Sequence, residues 1–207
     1  MTFRLFLPAA ATLALAGCAI HPNGPAAAVP LPVAMPWRLI VTRDDHIRLS
    51  DWRKVWVRAL TRARPHHAAE IAAEGPLLDP DAALPEPTPP RGDYRCRTIK
   101  LGGTSDFTLY PPARCRIDAG PGSTLTFFKL SGAQRPMGRI FPENSRRMVF
   151  IGTLQIGDEP GTLRYGHDKA RDAVAWVERV GDRRWRMAFP SPHFESTIDV
   201  IELVPGD

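Results

Sequence analysis

The chain has 207 residues, of which 43% are hydrophobic and 24% charged, and its 27 basic and 22 acidic side chains give a net charge of +5. This composition fits one globular domain with appendages and excludes a wholly disordered or collagen-like protein. Most of the 22 prolines lie before residue 93, so they mark linkers and turns rather than a low-complexity protein.

The N-terminus carries the pattern of an export signal. Arg4 precedes an apolar run from Leu5 to Ala16, which is too short to cross a bilayer as a stable helix and ends in small residues. The sequence Leu-Ala-Gly-Cys at positions 15–18 resembles the lipobox of bacterial lipoproteins. That resemblance implies a signal peptide over residues 1–17, cleavage before Cys18 and diacylation of the Cys18 thiol. A plain signal peptide with an incidental cysteine is the alternative.

Lipidation of Cys18 predicts where the protein resides. Each acyl-chain methylene that is buried in a membrane contributes about 0.8 kcal/mol to membrane binding. Two or three acyl chains on Cys18 would therefore anchor the protein, so the membrane is a predicted partner. The residue that follows Cys18 is Ala19 and not an aspartate. Under the lipoprotein sorting rule, this residue implies an outer-membrane lipoprotein that faces the periplasm. Nucleic acid is excluded as a partner because the chain is exported and has no zinc-finger or RNA-recognition motif. An envelope protein or an anionic envelope component fits the many arginines better.

Residues 18–36 hold five prolines and no apolar periodicity, which predicts a flexible tether. Residues 37–91 are predicted to form a helical segment followed by a surface loop. The loop is the proline-rich run from Pro76 to Pro90, which is not expected to hold regular structure.

The helical segment has recognisable start and stop signals. Ser50 is predicted to cap a helix whose apolar residues recur at helical spacing from Trp52 to Ala63. Pro65 should stop or kink this helix. A second short helix is predicted over His66 to Glu74, with Gly75 as its stop.

Residues 92–207 are predicted to be an antiparallel β domain, because short apolar runs alternate with glycine and proline turns. About eight antiparallel strands would leave exposed edges unless the sheet closes. We therefore expect an α+β fold: a barrel-like or strongly coiled sandwich with the N-terminal helices plugging one end or covering an edge. The predicted strands are 94–101, 107–117, 124–130, 137–141, 147–156, 162–165, 173–180, 184–189 and 197–204.

Two cysteines remain once Cys18 is assigned to lipid, an even number in an oxidising compartment. Cys96 and Cys115 flank a Gly-Gly-Thr-Ser-Asp turn, so a hairpin centred there predicts a cross-strand disulfide that contributes about 3 kcal/mol. Pro111 and Pro112 predict a bulge or an edge position before Cys115. Free or metal-bound thiols are the alternatives. The arginines beside each cysteine are predicted to face outward.

No complete catalytic motif is found, so no catalytic residue, metal site or cofactor is predicted. Two segments still bring polar groups together. Tyr165, His167, Asp168 and Arg171 lie in one polar stretch that could perform acid–base chemistry or hold a cation, although a solvated loop has the same composition. Gln134 and Arg135 could clamp a carboxylate or phosphate, or Arg135 could pair internally within a turn.

Several strings together resemble domain-of-unknown-function family 4893, a group of small bacterial envelope proteins. The resemblance covers roughly residues 48 to 205 and implies no catalytic residues. Its main strings are GDYRCRTIKLG at 92–102, SGAQRPMG at 131–138, VFIGTLQIGDE at 149–159, YGHDKARD at 165–172, WVERVGDRRWR at 176–186 and PHFESTIDVIELVP at 192–205.

The sequence favours a non-catalytic binding or structural module on the envelope. A hydrolase acting on an envelope component through the histidine-containing loop, and a carrier of a small ligand inside the barrel, are the two alternatives.

Overall fold

The computed structural model describes residues 36–206, so the predicted signal peptide, Cys18 and nearly all of the tether lie outside the described residues. Two α-helices come first, α1 (Arg43–Ser50) and α2 (Trp52–Glu74), with short 3-10 helices at Trp37–Leu39 and Gly75–Leu77. The strands are β1 (Gly92–Leu101), β2 (Phe107–Leu109), β3 (Ala113–Ala119), β4 (Leu125–Lys129), β5 (Gln134–Pro142), β6 (Met148–Ile156), β7 (Asp172–Gly181), β8 (Arg184–Pro190) and β9 (Ile198–Pro205).

Eight of the strands close into an antiparallel barrel. From β3 to β9 each strand pairs with the next, and β1 pairs with β3 on one side and with β9 on the other. The short β2 adds to the second half of β1, where Leu101 pairs with Phe107. Closure satisfies the backbone groups that an open sheet would expose at its edges. The predicted α+β, barrel-like fold is confirmed.

Aromatic side chains fill part of the barrel interior. Phe150 lies at the centre of this cluster, in edge-to-face contact with Phe127 and Phe189 at centroid distances of 5.8 and 5.7 Å. Inward residues of β8 and β9, such as Met187 and Leu203, complete this core and are fully buried. This part of the barrel is therefore packed solid.

The helices cover the outer wall instead of plugging an end, because closure leaves no edge among the eight strands. The apolar face of α2 between Trp52 and Ala63 packs on outward residues of β1, β8 and β9, including Ile99 and Val200. The predicted helical face is confirmed, and its partner is the outside of the barrel.

The helix boundaries differ from those predicted. Ser50 is the last residue of α1, a helix that the sequence reading missed, and Thr42 caps α1 by accepting a hydrogen bond from the Asp45 amide. Helix α2 runs from Trp52 to Glu74 and is kinked at His67, whose dihedral angles are non-helical, so the kink predicted at Pro65 is present two residues further on. It ends at Gly75, whose φ of 54° suits the predicted stop.

The proline-rich run after α2 has mostly irregular backbone, as predicted, and a buried arginine binds it. Arg186 and Glu178 are fully buried and form an ion pair of 2.6 Å. Arg186 also donates to backbone carbonyls between α2 and the barrel and lies 4.5 Å from the Trp56 ring centroid. Those carbonyls belong to Pro76, Leu77, Asp79 and Pro80.

The disulfide between Cys96 and Cys115 is formed, with a Cα–Cα distance of 5.9 Å. The pairing is confirmed, but the cysteines are diagonal neighbours: Cys96 faces Ala113, and Cys115 faces Tyr94. The predicted strand 107–117 divides into β2 and β3 around Pro111 and Pro112, the interruption that the prolines predicted.

The arginines beside the cysteines point away from the barrel interior. Arg95, Arg114 and Arg116 are exposed, and Arg97 is half-buried. Arg97 binds Glu74 at the end of α2 through a hydrogen bond of 2.8 Å and also pairs with Glu202. The predicted strand 162–165 is irregular backbone.

Candidate functional site

A cavity of about 360 Å³ lies at one end of the barrel. Small-molecule sites in proteins are typically about 300–1,000 Å³. The cavity is lined by inward positions of the strands and by the loops that follow β2, β4 and β8. We call this region the mouth.

The barrel is open here because the inward-facing side chains differ in size and polarity between its two ends. On β7 the mouth position is the small Ala173. On β1, β4 and β9 the mouth positions are Thr98 and Lys100, Lys129, and Asp199 and Ile201. Large aromatics at the packed end thus give way to small, aliphatic and polar side chains at the mouth.

Lys100 connects three elements of the mouth. Its amine donates to the Gln134 side-chain oxygen at 2.8 Å and to the Glu195 carboxylate at 3.0 Å. It also lies 3.6 Å from the Asp199 carboxylate, since the two residues pair directly between β1 and β9. Lys100 is only 5% exposed, so its charge is neutralised within the mouth.

Asp199 is a largely buried carboxylate, with 14% of its side chain exposed, and its proton affinity is altered. Burial raises its pKa from 3.8 to about 6, against the opposing effects of Lys100 and of the Ser196 hydroxyl, which donates to it. Desolvation disfavours the charged form of an acid. Asp199 is therefore mainly ionised at neutral pH and takes up a proton in mildly acidic conditions.

Lys129 is a buried cation with few partners. It is 8% exposed, and its amine donates to the backbone oxygen of Gln134 at 2.9 Å. Within residues 36–206, no carboxylate lies at salt-bridge distance from this amine. Burial is the largest influence on its pKa and lowers it; the Asp199 carboxylate raises it, and the cations Lys100 and Arg135 lower it further.

Thr98 adds an unsatisfied hydroxyl to the same cavity. It is 8% exposed, and its side-chain oxygen has no hydrogen-bond partner in the described part of the chain. A buried hydroxyl without a partner costs free energy. The Thr98 hydroxyl and the Lys129 amine can therefore both form further hydrogen bonds with a molecule in the mouth.

Two of the six residues singled out in the sequence line the mouth. Gln134 links Lys100 to Glu195 through its amide. Arg171 binds Glu159 at 2.6 Å and lies 5.6 Å from the Phe194 ring centroid.

The other four have different surroundings. Arg135 donates to the backbone oxygens of Gly132 and Gly157, so it pairs internally. Tyr165 donates to Asp45, and burial raises its pKa. Asp168 accepts from the Ala170 amide in its own turn, and His167 is exposed.

Residues 36–206 contain no group of three or more His, Cys, Asp or Glu side chains arranged to hold a metal ion. Over the same residues, no helix has the length and apolar character needed to cross a membrane.

The sequence reading missed Thr98, Lys100, Lys129, Glu195 and Asp199. Strand periodicity could have found the first two, because Cys96, Thr98 and Lys100 alternate along β1. Once the disulfide places Cys96 inside the barrel, the other two side chains must also point inward. Lys129 has the same relation to Phe127 on β4.

Comparison with protein families gives one match. A model described as "Domain of unknown function (DUF4893)" matches residues 37–203, which cover the helices and nearly the whole barrel. The chain belongs to this family. Searches of curated proteins and of solved structures found no match.

Proposed function

We propose that this member of the DUF4893 family is a lipid-anchored envelope protein that faces the periplasm and binds a small ligand in the mouth of its barrel. The observation that carries the proposal is the cavity of about 360 Å³, which exposes the buried Lys129 amine and the unsatisfied Thr98 hydroxyl. Concave sites with a mainly apolar wall and a few convergent polar groups are typical of ligand binding.

The anchoring part of the proposal rests on the N-terminal sequence. Leu-Ala-Gly-Cys at positions 15–18 supports acylation of Cys18, and Ala19 supports sorting to the outer membrane. The proline-rich residues that follow would separate the barrel from the lipid surface. The first described helical residue is Trp37, so about twenty residues lie between the anchor and the folded domain.

Binding is favoured over hydrolysis by the contacts of the polar groups. Lys100 is engaged by Gln134 and Glu195, and Asp199 is engaged by Ser196. In the described part of the chain, no histidine hydrogen-bonds to a serine, threonine or cysteine side chain. Nucleophilic catalysis by a hydroxyl or thiol commonly uses such a pair.

The binding role is tested by extracting the purified full-length protein with organic solvent and analysing the extract by mass spectrometry. Ala173→Phe should fill the mouth and remove a co-purifying small molecule, while Ala119→Phe, at an exposed position of β3, should retain it. Circular dichroism and thermal unfolding check that both variants fold. An identical extract from all three proteins would contradict a site in the mouth.

The anchor is tested separately by metabolic labelling with an alkyne fatty acid and by membrane fractionation. The native chain should be labelled and should sediment with the outer membrane, whereas Cys18→Ala should lose the label. Labelling of the Cys18→Ala chain, or recovery of the native chain in the soluble periplasm, would refute the lipoprotein assignment.

A further inference from the structure

We propose that the ligand of the mouth is an amphipathic anion whose acidic head group binds Lys129 and Thr98, in the same cavity where Glu195 already places a carboxylate on Lys100. This inference rests on the proposed binding function of the mouth and adds the chemical class of the ligand. Four features of the described residues support it.

The first feature is the unbalanced set of hydrogen-bond donors in the mouth. An ammonium group has three N–H donors, and the amine of Lys129 has one protein acceptor, the Gln134 backbone oxygen at 2.9 Å. A charged group removed from water is stabilised only when it is paired and hydrogen-bonded. An anionic oxygen from a ligand would supply the acceptor that Lys129 lacks.

The second feature is the Thr98 hydroxyl, which is independent of any charge. Its oxygen is buried without a partner, and Thr98 lines the same cavity as Lys129. Hydrogen bonds between a hydroxyl and an ionised acceptor are stronger than those between neutral groups. The two unsatisfied groups therefore favour the same kind of ligand atom.

The third feature is the state of the carboxylates in the mouth, which favours an anionic ligand over a cationic one. The three carboxylates that line the mouth already have donors. Glu195 accepts from Lys100 and Gln134, Asp199 accepts from Ser196 with Lys100 at 3.6 Å, and Asp172 accepts from the Gly166 amide. A cation would have to compete for acceptors that are occupied, whereas an anion meets donors that are open.

The fourth feature is the apolar wall, which accounts for the amphipathic character of the ligand. In the pairing of β1 with β9, Lys100 lies beside Asp199. The next inward-facing pair is Thr98 and Ile201. Phe189, Leu154 and Pro136 line the same cavity. Burial of an apolar chain against such a wall is favourable, so the mouth stabilises both the head group and the chain.

Glu195 shows which functional group the mouth accepts. Its carboxylate is 59% exposed, yet Lys100 and Gln134 both donate to it, at 3.0 and 3.4 Å. Its backbone has a φ of 67°, and Ser191 in the same loop has a φ of 46°. Left-handed backbone at residues other than glycine costs free energy and is frequent at ligand clamps. The mouth therefore already holds one carboxylate through the Lys100 and Gln134 donors.

The test is calorimetric titration of the lipidated full-length protein in nanodiscs, with empty nanodiscs as the blank. The probes are decanoate, decanol and decyltrimethylammonium, which share one alkyl chain and differ in charge. We expect decanoate to bind at least about tenfold more tightly than decanol, because a hydrogen bond to a charged group contributes about 1.5–3 kcal/mol. The cation should bind most weakly.

The variants separate the contribution of the head group from that of the cavity. Lys129→Met should weaken decanoate binding about thirtyfold, since truncating one member of a buried charge pair costs at least about 2 kcal/mol, and should leave decanol binding unchanged. Lys54→Met is the matched control on an exposed lysine of α2 and should change neither. Thr98→Val should weaken decanoate binding severalfold, and Glu195→Gln should tighten it about threefold.

Equal affinities for decanoate and decanol, both unaffected by Lys129→Met, would overturn the anion proposal while leaving a binding function in place. Absence of binding by all three probes would overturn it as well, and the extraction experiment with Ala173→Phe would still decide whether the mouth holds another ligand. Decyl phosphate distinguishes the source: tighter binding than decanoate indicates a phosphate ester, and weaker binding indicates a carboxylic acid. Both results support an anion.

Discussion

Arg186 under helix α2 and Lys129 in the mouth are both buried basic residues of the same barrel, but their surroundings are opposite. Arg186 is fully buried against Glu178, donates to four backbone carbonyls and lies over Trp56. Lys129 is buried to almost the same extent and has one backbone acceptor.

The difference separates a charge that holds the fold together from one that is available to a ligand. A buried ion pair with every donor satisfied fixes one arrangement of the groups around it. The buried Lys129 amine makes one hydrogen bond, to the Gln134 backbone oxygen, and pairs with no carboxylate within the described chain. Its presence is explained if a binding partner supplies the missing acceptor.

The largest expected effect tests the structural side of this comparison. Arg186→Met should destabilise the protein by about 3–5 kcal/mol, because Glu178 would remain buried with only Arg147, at 2.6 Å, as an ion-pair partner. Urea unfolding followed by tryptophan fluorescence gives the free energy of unfolding. Arg53→Met, at an exposed pair with Asp81, is the control and should cost less than about 1 kcal/mol.

Lys129→Met supplies the other half of that experiment. It removes a charge that the fold does not pair, so the free energy of unfolding should stay the same or increase. A loss as large as that of Arg186→Met would show that both charges are structural and would remove the contrast.

The second prediction concerns Asp199, the acidic counterpart of Lys129 in the mouth. Its folded pKa of about 6 lies above the ordinary value of 3.8, so the folded state binds a proton more tightly than the unfolded state does. Stability should therefore fall as pH rises from 3.8 to about 6 and remain low above that range.

The pH dependence assigned to Asp199 amounts to about 3 kcal/mol, at about 1.4 kcal/mol per pKa unit. Asp199→Asn should remove this pH dependence. The free energy of unfolding of the variant, relative to that of the native protein, should therefore increase between pH 4 and pH 7. Chemical unfolding at a series of pH values measures this difference. A difference that does not change with pH would contradict the raised pKa.

Ligand affinity should follow the same protonation. Asp199 faces Lys100 on β1, Lys129 on β4 and Glu195 on the preceding loop. Its neutralisation makes the mouth more positive and should strengthen anion binding. Decanesulfonate stays ionised throughout, so its affinity should rise about tenfold from pH 7.5 to pH 5. The rise should be absent in Asp199→Asn, and a rise that persists there would assign the effect to another group.

Part of this contrast could be predicted from the sequence. The strand and turn pattern predicted the barrel-like fold, and the even number of cysteines predicted the disulfide, because both follow from local periodicity and pairing rules. The register of the β1 hairpin could not be predicted in the same way. Leu101 pairs with Phe107, so the turn is shifted from the predicted position and the two cysteines are diagonal neighbours. Helix α1 was missed because its stability comes from packing of Leu49 on the outer wall more than from a regular apolar stripe.

The mouth was harder to predict, since its polar groups come from strands far apart in the chain. Lys100, Lys129 and Asp199 meet only when β1, β4 and β9 close the barrel. The polar stretch around His167 has a denser set of charges in the sequence, but Asp168 serves its own turn, His167 is exposed and Tyr165 binds helix α1, so only Arg171 of the four predicted residues reaches the mouth. Local charge density was therefore a poor guide, and strand parity would have been a better one.

The smallest expected effect concerns Thr98, where the two roles can be measured on one side chain. Thr98→Val removes an oxygen that has no hydrogen-bond partner among residues 36–206 and keeps the shape of the residue, so it should stabilise the ligand-free protein by about 1 kcal/mol. The same change should weaken decanoate binding, because the ligand loses a hydrogen bond. Thr126→Val, on the outward face of β4, is the matched control and should alter neither quantity by as much. Thermal unfolding with and without decanoate measures both: a variant that is more stable when empty and gains less from the ligand supports a binding role. A variant that is less stable when empty would mean that the Thr98 hydroxyl serves the fold, as Arg186 does.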